Sequence, residues 1–108
     1  MNIKVRALVF EDKNSKWWSA QCLEYDITMQ ANSLQDLIYE ITRVLTGYMV
    51  VSKELGIKPF SNLGSAPQMF WNLYDRSKTS LNRDPVPMGT IESFEITPDL
   101  RLAELQPA

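Results

Sequence analysis

The stretch from Trp17 to Gly56 constrains the fold of this chain more than any other part of the sequence. It begins with two segments in which apolar and polar residues alternate, and it ends with a long segment in which apolar residues recur every three or four positions. Alternation with period two is typical of strands, and the longer spacing is typical of an amphipathic helix. The pattern therefore predicts an α+β protein in which one long helix packs on one face of a small sheet.

Three strands are predicted before the helix, and an antiparallel meander is the simplest way to join them. One face of this meander carries Ile3, Val5, Ala7, Val9, Trp18, Ala20, Cys22, Ile27, Met29 and Ala31. The small side chains of Ala20 and Cys22 would let the helix approach the sheet closely. The other face carries Lys4, Arg6, Leu8, Phe10, Trp17, Ser19, Gln21 and Leu23.

The long helix has clear start and stop signals. Ser33 is a good N-cap, and Asp36 three residues later completes a capping-box pattern. The periodic apolar residues predict a helix over 34–55, about 33 Å long, and Gly56 supplies the stop. Gly47 in the middle costs about 1 kcal/mol relative to alanine, so it is predicted to mark a close backbone contact or a bend.

The remainder of the chain is predicted to complete the same single domain, residues 1–108. Ser65 begins a second, shorter helix, and residues 78–89 form a polar, proline-containing extended connector. Residues 90–97 alternate and are β-branched, which predicts a fourth strand that completes the sheet. A turn is predicted at Pro98–Asp99, with a short last strand or edge after it.

Composition excludes several classes of function. With 11 Lys and Arg against 13 Asp and Glu, the net charge is −2, which offers no basic surface for non-specific nucleic-acid binding. The chain contains no histidine, so histidine-based catalysis and histidine-containing zinc sites are ruled out. Cys22 is the single cysteine and is predicted to be buried. No apolar run of about 20 residues is present, and no signal peptide is evident, so we expect a cytoplasmic protein without cofactor or membrane segment.

Acidic residues leave one enzymatic alternative open. Glu24 and Asp26 at the corner after the second strand, with Glu11 and Asp12, could hold a divalent cation through oxygen ligands. The protein would then be a metal-dependent enzyme acting on RNA. A two-metal nuclease needs carboxylates that converge from strand centres, and the centre of the first strand offers none. We therefore favour solvated loop acids and predict that the protein is not an enzyme.

The order of three strands and a long helix, together with a set of specific residues, resembles the HicB-like antitoxin family. The residues that carry this resemblance are Trp18, Ala20, Cys22, Glu24, Gln30, Ala31, Ser33 and Leu34. The resemblance covers the first half of the chain and implies a partial RNase-H-like fold. It further implies a protein that forms oligomers and neutralises a small basic RNase toxin. Many members add a C-terminal DNA-binding segment, but residues 65–78 are rich in aromatic and poor in basic residues, so DNA binding is not expected here.

Trp17 is predicted to lie on the face of the sheet opposite the long helix. Adjacent residues in a strand face opposite sides, so Trp17 lies outside if Trp18 lies in the core. Helices on one side only would leave an apolar surface, which is typical of an interface. The predicted contacts with a partner or a second copy are Phe10, Trp17, Gln21, Leu23 and Tyr25.

Two explanations compete with a toxin-binding homodimer. The second helix or the C-terminal segment could cover the outward face and bury the residues in question. The chain could also be a homo-oligomeric accessory domain that has no toxin partner. The favoured prediction is a non-enzymatic protein-binding protein that self-associates and whose partner is a small toxin.

Overall fold

The computed structural model describes residues 2–81 and 95–103 and shows an α+β fold with a five-stranded sheet and two helices. The elements in chain order are β1 (Asn2–Glu11), β2 (Trp18–Cys22), β3 (Thr28–Ala31), α1 (Leu34–Leu55), α2 (Gln68–Arg76), β4 (Thr79–Ser80) and β5 (Glu95–Leu102). The predicted order of three strands, a long helix, a short helix and a later strand is confirmed. None of the helices in the described ranges combines the length and the apolar character that crossing a bilayer requires.

The sheet is mixed, with strand order β3-β2-β1-β5-β4. Strands β1, β2 and β3 form the predicted antiparallel meander, in which Ala7 pairs with Cys22 and Ala20 pairs with Met29. Strand β5 returns on the other side of β1 and runs parallel to it. A parallel neighbour requires a long crossover connection, and the segment that contains α1 and α2 is part of it. Strand β1 therefore lies at the centre of the sheet.

The C-terminal strand differs from its prediction. Strand β5 runs through Pro98, so the turn predicted at Pro98–Asp99 is wrong, while residues 90–94 of the predicted strand lie outside the described residues. Strand β4 pairs with β5 only at Leu102 and Arg101, and the described residues place no strand beside Pro98 on that side. Proline is tolerated in a strand where its missing N–H is not needed by a neighbour. The predicted connector 78–89 contains β4, and its residues from 82 onward are outside the described ranges.

The main core lies between α1 and one face of the sheet, as predicted. It contains Val5, Ala7, Val9, Ala20, Cys22, Ile27, Met29, Ala31, Leu37, Ile41, Leu45 and Met49. The side chain of Ser33 accepts a hydrogen bond from the N–H of Asp36, and Gly56 ends the helix with a positive φ of 67°. Both helix signals read from the sequence are therefore confirmed. A Cβ atom at Gly47 would meet no atom of the described structure within 4 Å apart from the nearby backbone of its own helix, so the close contact predicted there is not found.

Helix α2 packs on the opposite face, which we name the outer face of the sheet. Leu8 and Leu23 are buried there together with Tyr74 of α2. The chain reaches this face by passing the start of β3, where the N–H of Asp26 donates to the carbonyl of Gly64 at 2.7 Å and the N–H of Ala66 donates to Leu23 at 2.9 Å. The expectation of helices on one side only is therefore wrong, because this connection carries α2 around the sheet.

The packing of α1 on β2 generates a stability prediction. Ala20 is buried beneath the helix, so Ala20→Leu should overpack this layer and lower the free energy of unfolding by about 1–3 kcal/mol. Urea denaturation followed by circular dichroism measures this change. Tyr39→Leu is the control, because Tyr39 is 69% exposed on α1 and its replacement should change stability little. Equal stability of the Ala20→Leu variant and the parent chain would contradict the packing described here.

Candidate functional site

A groove of about 720 Å³ opens on the outer face over β2 and β3. Its floor consists of the outward side chains of Ser19 and Gln21 in β2 and of Thr28 and Gln30 in β3. These residues share a face because side chains alternate along a strand and the register places Ser19 opposite Gln30 and Gln21 opposite Thr28. Helix α2 has nine residues and packs against β1, which leaves this part of the sheet uncovered.

Two aromatic side chains form the walls of the groove. Phe10 comes from β1 and Phe70 from the first turn of α2, and both are partly buried because they also pack on the cluster around Leu8. The connection between β1 and β2 closes one end with Asp12 and Asn14. A concave surface with aromatic walls and a polar floor is typical of a binding site.

Asp12 gives the groove a negative charge. Its side chain accepts a hydrogen bond from the backbone N–H of Asn14 at 3.0 Å, and this bond lowers the pKa of the Asp12 carboxyl group. Asp12 is therefore ionised at neutral pH. It is the one charged side chain among the described residues that line the groove. An approaching cationic group would be attracted to this end.

Gln21 lines the groove, and its hydrogen bonds determine how its side chain is oriented. Its side chain is 3% exposed, and Nε2 donates to the carbonyl oxygen of Cys22 at 3.0 Å and to Oδ1 of Asp26 at 2.8 Å. Because both of these atoms are acceptors, the amide nitrogen must face them and the orientation of the amide group is determined. The amide oxygen is then the atom of this side chain that these two hydrogen bonds do not use.

Two of the five residues predicted as contacts, Phe10 and Gln21, line the groove. Trp17 precedes β2 and is 44% exposed, but it lies outside the groove lining. Contact of Phe10, Gln21 and Trp17 with a partner stays a prediction. The structure brings Phe10 and Gln21 together on the outer face, as the alternation of the strands indicated.

The other two predicted contacts lie elsewhere. Leu23 is 0% exposed, because Ala66 and the residues of α2 cover it, so a partner cannot reach it in the folded chain. Tyr25 is partly buried and stacks on Phe60, with 4.4 Å between the ring centroids. It packs against the core beneath α1. Tyr25 therefore belongs to the packing of the connection after α1 rather than to the groove.

The two carboxylates at the acidic corner, Glu24 and Asp26, accept hydrogen bonds from other groups of the chain. Glu24 accepts from the backbone N–H and from Nε of Arg6, both at 2.7 Å, and this pairing raises the pKa of Arg6. Asp26 accepts from Gln21. Among residues 2–81 and 95–103, no three His, Cys, Asp or Glu side chains come close enough together to hold a metal ion. The metal site considered at Glu24 and Asp26 is therefore not assembled in this part of the chain.

Several groove residues were not among the contacts predicted from the sequence. The sequence patterns that could have identified them differ from residue to residue. Thr28 and Gln30 alternate with the apolar residues of β3, so their outward direction could have been read from the sequence. Asp12 was considered only as a possible metal ligand, and Asn14 lies near it in a predicted loop whose position relative to the sheet follows from the hairpin. Phe70 gave no such signal, because its place depends on how α2 crosses the outer face.

Cys22 generates a prediction on pH dependence. It is fully buried, and burial raises its pKa to about 12, so the folded chain keeps this proton where an unfolded thiol, with a pKa of about 8.5, loses it. The free energy of unfolding should fall as pH rises from about 8.5 to about 12, with a contribution from Cys22 of up to about 1.4 kcal/mol per pH unit. Urea denaturation between pH 7 and 11 measures this slope. The Cys22→Ala variant should have a shallower slope, and an unchanged slope would contradict the burial of the thiol.

The groove thus combines aromatic walls, a polar floor and one carboxylate. In comparison with known proteins, no family model, no curated protein and no solved structure matches this chain. The functional conclusion therefore depends on the geometry of the groove and on the residues that form it.

Proposed function

We propose that this chain is a non-enzymatic protein-binding module that holds a segment of a partner polypeptide in the outer-face groove. The observation that supports this proposal is the groove itself, in which Phe10 and Phe70 line the border of the polar surface of β2 and β3. Aromatic side chains beside hydrogen-bonding groups are typical of protein–protein contacts. A bound segment would bury apolar area against the walls and pair its polar groups with the floor.

The charge of the groove favours a basic partner. Asp12 supplies a carboxylate, and Phe10 and Phe70 are aromatic lining residues, a type of side chain that attracts cations. A guanidinium or ammonium group needs acceptors and aromatic faces, and the described lining contains no Lys or Arg that would repel it. The partner segment is therefore expected to carry an arginine or lysine side chain.

The resemblance to HicB-like antitoxins supports the same kind of partner. A small basic RNase toxin would present cationic side chains, and this chain has a net charge of −2 and a groove with a carboxylate. On this proposal the protein neutralises such a toxin in the cytoplasm by covering part of its surface. DNA binding is not part of the proposal, because α2 is short and aromatic.

The walls of the groove provide the first test. With a small basic protein encoded beside this chain as ligand, Phe70→Ser should weaken binding by about tenfold or more, because an aromatic anchor is lost. Isothermal titration calorimetry measures the affinity, and circular dichroism confirms that the variant is folded. Tyr39→Ser is the matched control, since Tyr39 is an exposed aromatic residue of α1, away from the groove. Unchanged affinity for Phe70→Ser, or no binding of the basic protein at all, would overturn the proposal.

The charge of the groove provides a second test. Asp12→Asn keeps an oxygen that accepts from Asn14 and removes the charge, so it should weaken binding and reduce the dependence of affinity on salt. The same titrations at low and high salt measure both effects. Glu54→Gln is the control, because Glu54 is an exposed acid at the end of α1. If both variants lose affinity equally, the partner responds to net charge and not to the groove.

A further inference from the structure

The outer edge of β3 is open for pairing. Strand β3 is the last strand on its side of the sheet, and the N–H of Cys22 in β2 donates to the carbonyl of Ile27 at 2.9 Å. Hydrogen-bonded pairs alternate in an antiparallel ladder, so Met29 and Ala31 also bond to β2. The backbone N–H and C=O groups of Thr28 and Gln30 then point away from β2, toward the edge.

The backbone just before β3 is already hydrogen-bonded within the chain. The N–H of Asp26 donates to the carbonyl of Gly64, and the N–H of Ile27 donates to the carbonyl of Tyr25. Within the part of the chain that the structure describes, Thr28 and Gln30 make no backbone hydrogen bond on the edge of β3 that faces away from β2. The backbone N–H and C=O groups of Thr28 and Gln30, two donors and two acceptors, are therefore available for pairing.

This edge carries no charged residue or proline that would oppose pairing. Natural proteins block exposed strand edges with charged side chains, proline or bulges. The segment from Thr28 to Asn32 contains neither proline nor a charged residue, and the side chains of Thr28 and Gln30 are exposed. An identical copy of this segment would meet no charge repulsion.

We propose that β3 pairs with β3 of a second copy of the chain, antiparallel and across a two-fold axis. A two-fold axis makes the contact self-complementary, so the register must use the same residues in both copies. A register centred on Thr28 would need Asp26, whose N–H already bonds to Gly64, and one centred on Gln30 would need Asn32, which lies after the end of β3. Centring on Met29 places Thr28 opposite Gln30 of the second copy and satisfies all the open groups.

This dimer continues the sheet from one copy into the other. Because the axis is perpendicular to the sheet, the two outer faces lie on the same side and the two grooves are adjacent. Self-association through the edge does not depend on the proposed partner, since the groove lies on the face of the sheet. If a partner does bind, the dimer presents two neighbouring sites to it, and a bivalent partner would gain affinity from this arrangement.

A pair of double variants tests both the contact and its register. Thr28→Lys with Gln30→Lys places like charges opposite each other and should raise the dimer dissociation constant by about tenfold or more. Thr28→Glu with Gln30→Lys places opposite charges across the axis, so this variant should remain dimeric. Sedimentation equilibrium of the chain alone, over a range of concentrations and at low salt, measures the mass against the 12.4 kDa of one copy.

A backbone variant gives an independent measurement. Gln30→Pro removes an N–H that the pairing with β2 does not use, so the fold should persist while the dimer dissociates. Gln30→Ala keeps the N–H and should remain dimeric. Circular dichroism shows whether the Gln30→Pro chain is folded. If it is not, the two double charge variants provide the test of the pairing.

Several results would overturn the proposed pairing. The parent chain could sediment as a monomer at all concentrations, or the two charge variants could have the same mass. A dimer that survives both lysine substitutions but is lost in Leu55→Lys would place the interface at the end of α1, where Leu55 is 67% exposed. Phe70→Ser should leave the mass unchanged, so failure of the edge contact and failure of partner binding are separately visible.

Discussion

The structure depends on a central strand whose two faces are both buried. Val5, Ala7 and Val9 of β1 pack beneath α1, while Leu8 on the other face packs beneath α2. Burial on both faces makes β1 the place where the two helix layers meet, and it allows a parallel neighbour such as β5. Burial of apolar area is the dominant favourable term in folding, and this strand contributes buried side chains to both layers.

The same arrangement creates the groove, because the two layers differ in size. Helix α1 has 22 residues and covers the meander, whereas α2 has nine and covers only the part of the outer face near β1. Arg6 fixes this region: its guanidinium group lies 4.7 Å from the ring centre of Trp71 and pairs with Glu24. The uncovered part of β2 and β3 then becomes a surface bounded by aromatic side chains instead of a wide apolar face.

Much of the fold could be predicted from local patterns. The strand alternation, the Ser33 cap and the Gly56 stop each depend on neighbouring residues, and each is found where it was predicted. The path of the C-terminal strand through Pro98 could not be predicted, because it depends on where β4 ends beside β5. The face that α2 covers could not be predicted either, since the hydrogen bonds that carry the chain around the sheet join residues far apart in sequence.

The candidate site shows the same division. The sequence by itself determined that Phe10 and Gln21 share a face, because alternation along a strand is a local property of an extended backbone. Only the tertiary structure decided that Leu23 on that face is buried while Gln21 borders a groove, because the position of α2 sets which part of the face is covered. The placement of Phe70 beside Phe10 is likewise a result of helix packing across the sheet, which no local pattern encodes.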